Sequence, residues 1–337
     1  MQQRELGSSG IMASVIGFGA WAIGGWMWGG SDDQAAVEAI HTAIDNGINL
    51  IDTAPIYGFG HSEEVVGKAL KGGWRNKAVL ASKCGLVWEG NRGEHFFDSS
   101  DGIVEENDNP QAKRHVYRYL GAQSIRQEVE NSLRRLGTDH IDVMQTHWQD
   151  PTTPIEKSME ELLRLKEEGK IRAIGCSNAT PANMDSYRSL GPLDVDQEKY
   201  SLLDREREAD NLPYCQQHRV AFFAYSPLAQ GLLTGKIGPE RKFSPTDQRA
   251  NDPRFSLDNR QKVAAFLREL TPVREKHGIT TGQLVAAWTV AQPGLSHALL
   301  GARTQEQVVE NAAAGAVQLT PEDREFIKRA IANVKLS

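Results

Sequence analysis

Three observations predict an α/β fold in which eight parallel strands close into a (β/α)8 barrel. Short apolar, β-branched runs alternate with amphipathic stretches along the chain, and such alternation means a parallel sheet. Eight strand–helix units can be counted, the number that closes through right-handed crossovers. The 337 residues, 39% hydrophobic and 24% charged, are ordinary for a globular protein. They suit one barrel domain spanning residues 1–337.

The elements follow in order. Residues 2–13, QQRELGSSGIMA, read as a short hairpin turning at SSG. SVIGFG (14–19) is the first strand. SDDQAAVEAIHTAIDNG opens with Ser31 and two acids, as a helix start does, and stops at Gly47. Strand GINLIDT and helix HSEEVVGKALKG form the second unit, and AVLASK with SIRQEVENSLRRLG the third. The fourth and fifth are IDVMQTH with PIEKSMEELLRLKEEG, and IRAIGCS with TPANMDSYRSLG. DVDQEK with EADNLPYCQQH, VAFFAYS with TTGQLVAAWTVAQ, and HALLGA with TQEQVVENAAAG complete eight. TPEDREFIKRAIANV adds a last helix, with Thr320 as N-cap and Pro321 in its first turn. Residues 86–120 and 227–260 fall outside the units as long loops, and loops of that length are usually functional.

Composition narrows the partners to small molecules. The net charge is −6 and no basic run carries interleaved aromatics, which argues against nucleic acid. No apolar stretch reaches the roughly 20 residues of a membrane span, and MQQRELGSSG lacks the apolar core of a secretory signal. Cys84, Cys176 and Cys215 are scattered and odd in number, as in reduced cytoplasmic proteins. Nine histidines show no metal-ligand spacing, so no metal is expected. GFGAWA (17–22) fits a dinucleotide fingerprint, but the next helix starts at Ser31 or Asp32, too late to present its N-terminus to a pyrophosphate.

Barrel enzymes draw catalytic residues from the C-terminal ends of their strands. The second strand ends in Asp52 with Tyr57 just beyond, the third in Lys83, and the fourth in His147. Singly, each has an ordinary structural reading: a capped turn, a surface phenol, a snorkelling lysine, a core histidine. Together they make a proton donor aimed at one oxygen. A free phenol, with a pKa near 10, is a weak acid at neutral pH. A neighbouring ammonium is expected to favour the phenolate and lower that value. Asp52 would hold Lys83, and His147 would orient a carbonyl. This suits carbonyl reduction, with hydride from a cofactor.

At these residues the chain resembles the aldo-keto reductase superfamily. The resemblance rests on DTAPIYGFGHSEEVVGKAL, the ASK ending in Lys83, QTHW, IRAIGCSN, DQEKYSLL, AYSPLAQGLLTGK and GARTQEQVVEN, and so covers essentially the whole chain. The SPL-x-x-G-LLTGK form is similar to the bacterial sugar- and polyol-handling branch, related to potassium-channel β-subunits. The resemblance implies a TIM barrel whose catalytic tetrad is Asp52, Tyr57, Lys83 and His147, with Tyr57 as general acid. It also implies NADPH, or NADH, extended across the barrel mouth beside Gly19, Ala20, Trp21 and Asp52. Ser177, Asn178 and Gln197 would hold the carboxamide, and Tyr225 would stack on the nicotinamide. Ser226, Pro227, Leu228, Gln230, Gly231, Leu232 and Lys236 would follow the pyrophosphate. Gly301, Arg303, Thr304, Gln307, Glu310 and Asn311 would grip the adenosine end, and Arg249 a phosphate.

Two departures from the family stand out. Gly301 and Ala302 replace the Lys-Ser pair that some branches place at the 2′-phosphate, leaving Arg303 to supply charge. The loop after Lys83 is long and carries Trp88, Phe96, Phe97 and Tyr117, as a lid or an expanded surface loop. Trp21, Trp26, Trp28 and Trp148 are four of the chain's seven tryptophans. As a group they suggest an aromatic substrate pocket, with Trp28 and Trp148 touching substrate. The expected activity is NADPH-dependent reduction of an aldehyde or ketone, sugar-like or otherwise small. The alternatives are an NAD-linked polyol or sugar dehydrogenase and, from another class, a cofactor-binding regulatory subunit.

Overall fold

A computed structural model describes residues 1–90, 92–100, 113–332 and 334–336. Eight parallel strands close a barrel: β3 (Ile16–Gly19), β4 (Leu50–Asp52), β5 (Val79–Cys84), β9 (Ile141–Thr146), β10 (Ile171–Ser177), β11 (Val195–Lys199), β12 (Ala221–Tyr225) and β13 (Leu295–Gly301), which pairs back onto β3. The first strand starts later than SVIGFG suggests, because Ser14 belongs to the preceding hairpin. That hairpin, β1 (Gln3–Glu5) with β2 (Met12–Ser14), turns through the SSG segment and plugs the floor. Its Leu6, Ile11 and Ala13 join Leu50, Val79, Val143, Val195 and Phe223 in the barrel interior. Gly17 lies on this inward face, where a Cβ would stand 2.7 Å from a Leu299 methyl. It therefore packs the barrel and does not cradle a phosphate.

Helices α1 (Asp33–Asp45), α2 (His61–Ala69), α3 (Ala122–Leu136), α4 (Ile155–Glu167), α5 (Pro181–Arg188), α6 (Asn211–His218), α9 (Thr281–Val290) and α10 (Gln305–Ala314) cover the outside of the barrel, and α11 (Pro321–Ile331) closes the chain. Capping boxes fix the starts of α5 at Thr180, α9 at Thr280 and α11 at Thr320. For α1 the cap is Asp32, whose carboxylate accepts from the Ala35 N–H, one residue beyond Ser31.

Two regions differ from the sequence reading. Within residues 86–120, which read as a loop, three strands form a small sheet: β6 (Leu86–Val87), β7 (Glu94–Asp98) and β8 (His115–Arg118), in the order β6-β8-β7. Residue 91 and residues 101–112 of that expected lid lie outside the described residues. After the seventh strand, α7 (Leu257–Glu269) and α8 (Thr271–His277) precede α9. Ser256 caps α7 and Pro272 sits in the first turn of α8, which breaks what would otherwise read as one helical pattern. Among the described residues no helix is long and apolar enough to cross a membrane.

Candidate active site

The C-terminal ends of β4, β5 and β9 bring Asp52, Lys83 and His147 to one mouth, and the loop after β4 adds Tyr57. That loop is held by close backbone packing. A Cβ on Gly24 would stand 2.7 Å from the Tyr57 carbonyl, and one on Gly58 would stand 2.2 Å from the Gly24 oxygen. Gly58 also has a φ of 68°, open to glycine at little cost.

Lys83 is 1% exposed and donates to Asp52 Oδ2 at 2.7 Å and to the Thr53 carbonyl at 3.0 Å. Asp52 Oδ1 in turn accepts from Gln197 Nε2 at 2.9 Å and Gln145 Nε2 at 3.4 Å. The carboxylate thus keeps partners on both oxygens, as a buried charge requires. The Lys83 ammonium lies 5.1 Å from the Tyr57 ring centroid, and the His147 ring stands edge-on to it at 5.9 Å.

The electrostatics differ from the expected lowering of the phenol. Burial, and then the Asp52 charge, push the Tyr57 pKa well up. The lysine cannot dominate because its charge is matched by the aspartate it touches. Burial pulls Lys83 down, opposed by Asp52. Burial and then Lys83 hold His147 well below its usual value, so its imidazole is neutral at pH 7. The mouth therefore presents a protonated phenol, a neutral imidazole and a neutralised ion pair.

Beside these residues runs a cavity of about 460 Å³. Of the residues expected to hold a cofactor, it is lined by Gly19, Trp21, Asp52, Tyr225, Ser226, Pro227, Leu228, Gln230, Gly231, Lys236, Arg249, Gly301, Arg303, Gln307, Glu310 and Asn311. Ala20, Ser177, Gln197 and Leu232 are buried and do not line it. Ser177 donates to the Gln197 carbonyl at 2.7 Å. Asn178 has a φ of 53°, donates to the His147 carbonyl at 2.9 Å and accepts from the Tyr225 hydroxyl at 2.9 Å. Thr304 caps α10 and accepts from the Gln307 N–H.

After β12 the backbone turns sharply, with left-handed φ at Ser226, Ala229, Gln230 and Gly231. Such successive turns make concave, amide-lined anion sites. Lys236, Arg241, Arg249 and Arg303 add cations around the cavity, against the carboxylates of Asp52 and Glu310, the latter paired with Lys236. These turns and cations fit the pyrophosphate of a nicotinamide dinucleotide.

Loops from β3 and β12 also meet across the cavity. Trp28 bridges Asp247, and Gln248 N–H donates to the Met27 carbonyl at 3.0 Å. Arg303 donates to the carbonyls of Trp28 at 3.1 Å and Gly30 at 2.5 Å. Arg249 holds Asp247 bidentately and lies 4.9 Å over the Trp28 ring. Trp28 thus lines the cavity from this crossing.

Trp148 stands elsewhere, 4.9 Å from Phe96 of β7. With Phe97, Trp26, Phe59, Trp88, Leu86 and Val116 it forms an apolar cluster that includes Tyr57. Sequence reasoning missed Gln145 and Gln149. Gln149 donates to the Ser177 carbonyl at 3.1 Å and accepts from the Tyr187 hydroxyl at 2.9 Å. Both lie in QTHWQ at the end of the fourth strand, a position that could have marked them. Arg241, in the same long loop as Lys236 and Arg249, was missed as well.

The family model described as "Aldo/keto reductase family" matches residues 15–332. The chain is 39% identical over 335 residues to "Aldo-keto reductase YhdN" of Bacillus subtilis, covering 99% of this chain and 94% of that protein. It is 41% identical over 333 residues to an "NADH-specific methylglyoxal reductase" of Escherichia coli, covering 97% and 98%. The solved structure of the glycerol dehydrogenase AKR11B4 from Gluconobacter oxydans superposes with a TM-score of 0.84 at 41% identity, covering 98% of this chain and 94% of that one.

Proposed function

The chain belongs to the aldo/keto reductase family, an NAD(P)H-dependent oxidoreductase, and we propose that it reduces a small aldehyde or ketone with NADPH, Tyr57 being the general acid. The observation that carries this reading is the Asp52–Lys83 pair, buried beside a protonated phenol at the end of a cation-lined cavity.

When bound, the nicotinamide supplies hydride to the carbonyl carbon. This chain's residues manage the oxygen. The neutral His147 imidazole donates a hydrogen bond to the carbonyl without adding charge. As the oxygen gains negative charge it becomes a strong base and takes the Tyr57 proton. The phenolate left behind is stabilised by the Lys83 ammonium, which Asp52 fixes in place. Burial keeps the phenol protonated until the carbonyl oxygen has become basic enough to take its proton, and the nearby ammonium limits the cost of the phenolate left behind. The reverse sequence oxidises the corresponding alcohol, so a polyol or sugar alcohol is the matching substrate in that direction.

The preference for NADPH rests on the excess of cations around the cavity. The relative named NADH-specific keeps NADH as the second reading.

The test is NADPH oxidation with a panel of aldehydes and ketones, repeated with Tyr57→Phe. General acid help is worth about 10²- to 10⁴-fold. The variant should lose that much kcat while binding NADPH within a few-fold of wild type, read by fluorescence titration. More than half of wild-type kcat in the variant would sink the role.

A further inference from the structure

The antiparallel pair β7–β8 carries two different faces. One covers the mouth with Phe97 and Val116. The other collects ligands. His95 pairs across the strands with Tyr117, and Asp98 with His115. Tyr117 and His115 are two apart on β8 and share a face, so their partners His95 and Asp98 share it too. Those partners are three apart in sequence, which a regular strand would send to opposite sides. The register shift between His95 and Phe97 is what brings them together.

His95 Nε2 and His115 Nδ1 lie 2.9 and 2.7 Å from Asp98 Oδ1. Among the described residues this is the one group of three such side chains whose ligand atoms all lie within 4.8 Å of one another. The histidines are about half exposed, 50% and 55%, so an ion has a path in.

We propose that the outer face of β7–β8 binds a divalent transition metal through His95, Asp98 and His115. Two imidazoles and one carboxylate are the ligands of Zn²⁺, Ni²⁺ and Cu²⁺, and are too few and too nitrogen-rich for Mg²⁺ or Ca²⁺. Water completes the coordination. The imidazoles bind as neutral ligands, with His95 metallated at Nε2 and His115 at Nδ1, so the ring proton of His95 moves to Nδ1 and that of His115 to Nε2. The Lys113 ammonium, 2.6 Å from Asp98 Oδ2, is the competitor that the ion displaces. Its side chain is 41% exposed, and a surface ion pair of this kind is weak. The site belongs to none of the residues assigned to catalysis, so it stands or falls apart from the proposed reaction.

The experiment titrates the chelator-treated full chain with Co²⁺, Ni²⁺, Cu²⁺, Zn²⁺ and Mg²⁺ separately, by calorimetry and by the visible absorption of Co²⁺. One equivalent should bind, with Cu²⁺ tighter than Ni²⁺ and Ni²⁺ tighter than Co²⁺, and Mg²⁺ should not bind. His95→Gln and His115→Gln should each weaken Zn²⁺ at least tenfold, whereas Lys113→Met should tighten it several-fold. That opposite sign is something unfolding cannot produce. Metal-free carbonyl reduction should stay within twofold of wild type in all three. Unchanged Zn²⁺ affinity in the double histidine variant, or weaker binding in Lys113→Met, would overturn the proposal.

Discussion

Lys83 is a buried cation whose charge depends on its acidic neighbours, Asp52 above all. Burial lowers its pKa and Asp52 opposes that. Asp52→Asn keeps the shape and removes the opposition, so the Lys83 pKa falls further. Activity needs the ammonium to receive the phenolate, so the alkaline limb of the kcat profile should move to lower pH in Asp52→Asn. An unmoved limb, measured from pH 7 to 10 in both enzymes, would show that Lys83 titration does not set it. Alone, Asp52, Tyr57, Lys83 and His147 each had an ordinary structural reading; the site was legible because all four fall at, or just beyond, the C-terminal ends of barrel strands. The direction of the Tyr57 shift was not legible. It depends on how deeply the phenol is buried and on the lysine charge being already matched, and both are properties of the assembled mouth. Gln145 was missed for a related reason: a neutral amide inside a barrel carries no charge signal, although it shares the Asp52 oxygen with Gln197.

At the level of elements, the β3 and β12 loops and the β6–β8 sheet divide the mouth between them. Arg303 spends donors on the carbonyls of Trp28 and Gly30, yet a guanidinium has five N–H groups, and this one also lines the cavity. Arg303→Ala should weaken NADPH at least as much as NADH, through the loop crossing, and more than NADH if the guanidinium also meets the 2′-phosphate. Equal affinities of wild type and variant for both cofactors, by fluorescence titration, would remove Arg303 from the cofactor site. On the other side, Trp148 leans on Phe96. Phe96→Ala removes that support, and should alter the order of kcat/KM values across a carbonyl panel while leaving NADPH affinity within a few-fold. An unchanged order would make the sheet a cover and no part of the substrate wall. The eight barrel units were readable because each repeats one alternation. The β6–β8 sheet was not readable, because its strands belong to no strand–helix unit and face an aromatic cluster instead of the barrel core.

For the whole molecule, the floor of the barrel sets an acid limit on stability. His297 sits on β13 inside the barrel, fully buried, with its ring 5.0 Å from that of Phe223. Burial, and then the Arg4 guanidinium of the hairpin, push its pKa down to about 3. In the unfolded chain a histidine titrates near 6.5. Between these two values the unfolded chain takes up a proton that the folded one refuses. Stability is therefore intact above about pH 6.5 and is lost as the pH falls through that value, by about 2 kcal/mol at pH 5. The buried carboxyls act in the opposite sense. Burial raises the interacting carboxyls of Asp196 and Glu198, so the folded state binds more protons there and gains as the pH falls. The total pH dependence thus mixes both signs, and only a difference isolates the histidine. His297→Leu replaces the ring with an apolar side chain that binds no proton. Whatever constant offset the new packing adds, the gap between the melting temperatures of variant and wild type should shift in favour of the variant between pH 7.5 and pH 5. For a chain of this length the shift should be about 3 °C. A gap that stays constant across that range would mean that the folded protein protonates His297 as readily as the unfolded chain does, through an opening of the hairpin floor.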